Sequence, residues 1–124
     1  MNHAVKSRRV LAGALLMAIA LDGAALNLGR AKGVVWIGRP LDVTIPISVD
    51  LGGDASAVCA TADVFHADNQ VGPQNVNVTI EPGPNRSEAR VRVRSSVLVD
   101  EPVVTVYLKA GCDDKSTRRF VLLS

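Results

Sequence analysis

The chain has 124 residues, 48% of them hydrophobic, with 14 basic and 12 acidic side chains. That is enough apolar material for one modest core and too much for a disordered chain, so a single domain is expected. One Trp, one Tyr and two Phe leave that core to be built mostly from Val, Leu, Ile and Ala.

The N-terminal segment reads as a cleaved secretory signal peptide over residues 1–25. Lys6, Arg8 and Arg9 precede an uncharged run from Val10 to Leu21, followed by small residues that suit cleavage after Ala20 or Ala25. A bilayer-spanning helix needs roughly 20 apolar residues, more than this run supplies, so no stable membrane insertion is expected after cleavage. Three of the 14 basic residues and one of the 12 acidic residues lie in this segment, leaving 11 of each in residues 26–124. The net positive charge belongs to the leader, and the rest of the chain carries no global attraction for nucleic acid or an anionic surface.

Beyond the leader the hydrophobic period is two, and seven strands follow in order. Lys32 to Ile37 is the first. The second, "LDVTIPISV" from Leu41 to Val49, turns Leu41, Val43, Ile45, Ile47 and Val49 to one side, with Asp42, Thr44, Pro46 and Ser48 opposite. Pro46 cannot donate to a ladder, which predicts a sheet edge or a bulge there. Ala57 to His66 is the third strand. "VNVTI" (Val76 to Ile80) and "ARVRVRS" (Ala89 to Ser95) repeat the alternation, with Val76, Val78, Ile80, Ala89, Val91 and Val93 inward. Val103 to Ala110 and Thr117 to Leu123 complete the set, the last reaching the end of the sequence. The pieces between, such as "DLGGDAS" and "EPGPNRS", are turn-rich, and no segment has helical period. Regular alternation of this kind means antiparallel sheets with one wet face. About seven short strands over a hundred residues predict an immunoglobulin-like antiparallel β-sandwich, with an eight-stranded barrel as the alternative.

Cys59 and Cys112 are the only cysteines, in a chain expected to reach an oxidising compartment, and are expected to form a disulfide. It would tie two sheets together, or a strand to a neighbouring loop. A metal site would need more ligands than His66, the only histidine outside the leader, and no Cys-x-x-Cys occurs, so neither metal nor other cofactor is expected.

Arg90, Arg92 and Arg94 alternate along one strand and form a basic ladder that could receive an acidic partner, a glycan or a phosphate. The plainer reading is a solvated outer face whose Arg stems cover apolar surface. No aromatic residues interleave the ladder, which argues against nucleic acid. At Asp100-Glu101-Pro102 the proline fixes a corner, and Glu101 could accept an ion pair from Arg118 or Arg119. His66, beside Asp63 and Asp68, is the one group with an ordinary pKa near neutrality. No serine sits in a nucleophile motif beside it, and a surface histidine at a strand end is expected. Asp113-Asp114 with Lys115, Gly52-Gly53 and Pro82-Gly83-Pro84 read as turns.

Three stretches carry a resemblance: "IGRPLDVTI" from Ile37 to Ile45, "SSVLVDEPVV" from Ser95 to Val104, and "RRFVLL" from Arg118 to Leu123. In this order they resemble the N-terminal periplasmic domain of FimV-type proteins, polar envelope proteins linked to type IV pilus assembly. The resemblance implies a periplasmic domain that binds an envelope protein, in pilus or secretion assembly or in polar organisation. Larger members of that family add a peptidoglycan-binding LysM module, a transmembrane helix and a cytoplasmic repeat region. Nothing here matches those parts, so anchoring, wall binding and cytoplasmic signalling are not implied. The expected function is therefore a non-catalytic interaction module that recognises its partner through an exposed sheet edge or the Arg ladder; the alternatives are a small periplasmic chaperone or inhibitor, or a hydrolase using His66.

Overall fold

Alternating apolar residues at two-residue spacing bury one face of each strand, and two such faces closed on each other make the core. The computed structural model describes residues 26–50 and 52–124; the expected signal peptide lies outside them. Eight strands form: β1 (Leu26–Leu28), β2 (Pro40–Val49), β3 (Ala60–His66), β4 (Asn69–Gln70), β5 (Val76–Pro82), β6 (Glu88–Leu98), β7 (Val103–Ala110) and β8 (Ser116–Leu123). They make two four-stranded antiparallel sheets, β1-β2-β6-β5 (sheet A) and β4-β3-β7-β8 (sheet B). This is the strand order of an immunoglobulin-like sandwich with one short extra edge strand.

The inner faces hold the residues that the alternation predicts. Leu41, Val43, Ile45, Val91 and Val93 of sheet A meet Val64, Val104, Val106 and Leu108 of sheet B, each almost fully buried. A buried aliphatic side chain of this size contributes about 1.5–3 kcal/mol. Many small contributions replace the large aromatic anchors that the composition lacks. Trp36 is 59% exposed and takes no part in the core.

Two local expectations are corrected. Lys32 to Ile37 is not a strand: it keeps a single bridge, Lys32 to Thr44, and then leaves the sheet. Gly33 has φ +125 and lies so close to β2 that a Cβ there would meet the Asp42 carbonyl at 2.9 Å, and Trp36 O accepts from Arg39 N in a turn. Val35 alone of its neighbours turns into the core. Pro46 marks no outer strand, because β2 lies between β1 and β6. Its carbonyl accepts from Gly29 N, so its missing donor faces β1 where that short strand has just ended at Leu28. The ladder to β6 runs past it undisturbed, with Pro46 opposite Arg90.

The disulfide takes the second of its two expected places, tying a strand end to a neighbouring loop and not one sheet to the other. Cys59 and Cys112 are bonded, with Cα atoms 4.8 Å apart, and the bridge joins the approach to β3 with the exit from β7, two neighbours in sheet B. Gly111 N donates to Cys59 O beside it. The staple closes one end of a sheet and does not cross the core.

Candidate functional site

The Arg ladder stands where the sequence places it, on the outer face of sheet A, but its middle rung is occupied. Arg92 makes a forked bond to Asp42, Nε to Oδ1 at 2.8 Å and Nη2 to Oδ2 at 2.6 Å, and its Nη1 lies 3.7 Å from Glu81. The register explains this: β6 runs between β2 and β5, so Asp42 and Glu81 flank it diagonally. Arg94 Nε is also 3.9 Å from Asp42. The bond from Arg92 holds the Asp42 carboxyl below the usual carboxylate range, aided by the charges of Arg92 and Arg94, and Asp42 in turn raises the Arg92 pKa. Of the three arginines, Arg90 alone makes no ion pair among the described residues, although Glu81 stands opposite it in the register. Arg90 borders a pocket of about 400 Å³ between β1, β2 and the Gly83-Pro84 turn.

Glu101 and the two arginines of β8 are not brought together. The β7–β8 register pairs Val103 with Leu123 and Leu108 with Arg118, so the corner and Arg118 sit at opposite ends of the hairpin. Five residues of strand separate them, about 17 Å. Arg118 instead lies 5.5 Å over the Phe120 ring and donates to Leu28 O, linking β8 to the edge of sheet A. The corner is held by other groups. Ser124 N donates to Pro102 O and Ser124 Oγ to Glu101 O.

Its second tether is His66, which departs most from expectation. The side chain is buried, at 4% exposure, because His66 shares the inward parity of Val64 on β3. Nδ1 lies 3.3 Å from the carboxylate of Asp100, an exposed residue of the corner, and neither Asp63 nor Asp68 pairs with it. Nε2 is buried with no hydrogen-bond partner. A general base must reach the proton it removes, and here the nitrogen opposite the Asp100 contact faces packed protein. The histidine therefore ties β3 to the β6–β7 corner. The pocket beside Arg90 is at the other end of β6, about 30 Å away by strand rise.

The sequence offers a sheet edge as a recognition surface without saying which one, and it does not point to the outer face of sheet B. Phe65 and Tyr107 meet edge to face there, with ring centroids 5.6 Å apart. Opposite Thr105 and Val103 on β8 stand Val121 and Leu123, 54% and 76% exposed. β8 is the last strand of its sheet. Because Ser124 N bonds Pro102 O, the even-numbered residues of β8 turn their amides toward β7. Thr117, Arg119, Val121 and Leu123 consequently turn four N–H and four C=O groups to the open side, where no described residue bonds them. The other edges are weaker templates: β1 and β4 have three and two residues. On β5, Val76, Val78 and Ile80 pack inward but turn their amides to the open side by the same reasoning, and Pro82 follows in the same parity without a donor.

Among the described residues no group of His, Cys, Asp and Glu could hold a metal ion, and no helix is long and apolar enough to cross a membrane. No protein-family model matches the chain, and no curated protein shows significant sequence similarity to it.

Proposed function

We propose that this chain is an exported, non-catalytic interaction domain of the periplasm that receives a strand of an envelope protein on the open edge of β8. One observation carries the reading: four consecutive outward-facing amide positions on β8 lie beside the exposed Val121 and Leu123. Strand addition draws affinity from such unpaired backbone groups and specificity from the alternate side chains next to them. The disulfide fits an oxidising compartment. The resemblance to FimV-type N-terminal domains supports a role in pilus or secretion assembly or in polar envelope organisation; a chaperone or inhibitor would differ only in the partner bound.

The test is photo-cross-linking in the periplasm from a reactive residue placed at Leu123, compared with one at Thr79 on the outer face of sheet A. The protein cross-linked at Leu123 is identified and the complex rebuilt from purified components, with and without Val121→Pro. That change removes an outward N–H and leaves the β7 ladder intact. A complex lost with Val121→Pro supports the edge. A complex cross-linked from Thr79 and indifferent to Val121→Pro would move the site to the Arg ladder.

A further inference from the structure

We infer that the segment received by β8 is an extended strand with an acidic residue at one outward position followed at two-residue spacing by apolar ones; this rests on the edge reading above and names its ligand. The argument is charge and register. Added to β8, a strand places every second side chain on the outer face of sheet B, level with Arg119, Val121 and Leu123. Val121 and Leu123 offer apolar neighbours, and Arg119 offers a guanidinium.

That guanidinium is available. Arg119 is exposed, and among the described residues no acid pairs with it. Tyr107 stands beside it in the register and Asp63 beyond, but Asp63 is engaged by Lys109 at 3.5 Å. The same side of the sandwich carries further positive charge. Arg118 reaches Leu28 O, and Arg30 follows two residues after Leu28, exposed and without an ion pair among the described residues, with Lys32 beyond it. The acids Asp113 and Asp114 sit in the β7–β8 turn, before the strand begins. On sheet A, by contrast, Asp42 and Glu81 hold Arg92. The sandwich thus answers Arg92 and Arg94 of its ladder with its own acids, leaves Arg90 there without an ion pair among the described residues, and supplies none to Arg119 beside the open edge of β8.

The geometry also disfavours a second copy as occupant. Two β8 strands paired antiparallel about their middle would bring Arg119 of both copies close together on one face, two like charges without an acid on either strand.

The experiment uses three short synthetic peptides in which Thr alternates with the variable residues. The first carries Glu, then Val, then Val at successive outward positions, and the others carry Gln or Lys in place of Glu. Each is titrated against the purified domain and its Arg119→Glu and Val121→Pro variants, with circular dichroism confirming that all three proteins fold. The acidic peptide should bind about tenfold more tightly than the Gln peptide, as expected for one charge-assisted contact. Arg119→Glu should reverse the order in favour of the Lys peptide, and Val121→Pro should weaken all three.

Equal binding of the three peptides, still lost with Val121→Pro, would overturn the acidic preference and leave the edge as the site. Binding unaffected by Val121→Pro, or no binding at all, would overturn the edge and the inference together. Sedimentation showing a dimer of the free domain that Val121→Pro dissociates would make a second copy the occupant and also overturn the acidic strand.

Discussion

Removing the disulfide should destabilise the domain through its unfolded state. Cys59 and Cys112 lie immediately outside the paired ends of β3 and β7, where Ala60 faces Ala110 and Gly111 N already bonds Cys59 O. Those contacts persist when both cysteines become Ala, so the native sheet loses little. The unfolded chain gains the freedom of a loop of 53 residues, about 4 kcal/mol by chain entropy. For a domain of about a hundred residues, each kcal/mol moves the melting temperature by about 4–5 °C, so a fall of roughly 15–20 °C is expected. A typical domain has about 5–15 kcal/mol in hand, and the variant should stay folded at low temperature. Urea unfolding of the oxidised, reduced and double-Ala proteins measures the loss, and the slope against urea should steepen because the open chain exposes more surface. A loss below about 1 kcal/mol with an unchanged slope would refute the reasoning. So would loss of β-structure in the double-Ala protein without denaturant, which would place the effect in the native state.

Other predictions bear on single groups. Arg92 keeps the Asp42 carboxyl below its ordinary value, so the folded protein binds that proton less readily than the unfolded chain. The resulting stability is present in full above about pH 4 and is lost as pH falls through the depressed value. Wild type should melt a few degrees above Asp42→Asn at neutral pH, and acid melting curves of the two should converge. His66→Leu, which removes the unpartnered Nε2 together with the tether to exposed Asp100, should stay within about 1 kcal/mol of wild type in urea unfolding; a loss above about 2 kcal/mol that Asp100→Ala does not share would show that Nε2 finds a partner. Ala67, in the β3–β4 turn, is the only non-glycine described residue at positive φ, and Ala67→Gly should raise stability by about 0.5–1 kcal/mol, read from the same midpoints.

How much of this was legible follows from which interactions are local. Alternation placed six of the eight strands because burial of every second residue is written along the chain, and β7 falls on Val103–Ala110 as expected. β1 and β4, at three and two residues, carry too short a pattern to see. The segment from Lys32 to Ile37 has strand composition, yet Gly33 bends it away. His66 was legible in principle: "ATADVFH" puts His66 on the same side as Val64 and Ala62, and Phe65 on the other. Reading the histidine by its chemistry, and not by its parity, placed it at the surface.

The pairings that decide function could not be read in this way, because register, a long-range property, sets them. Asp42 and Arg92 are 50 residues apart and meet because β2 lies next to β6 with Thr44 opposite Arg92. Glu101 and Arg118 are nearer in sequence, and the hairpin between them still holds them apart. The same register decides that Arg119 and not Arg118 turns its amide to the open edge, a distinction that two adjacent arginines in a sequence cannot express. Charge counted along the chain pointed to the ladder on β6. Charge counted after pairing leaves Arg90 on the ladder and Arg119 on β8 without an ion pair among the described residues, and only Arg119 stands beside an open strand edge; an arginine already held by an acid must give up that bond before it can hold a partner.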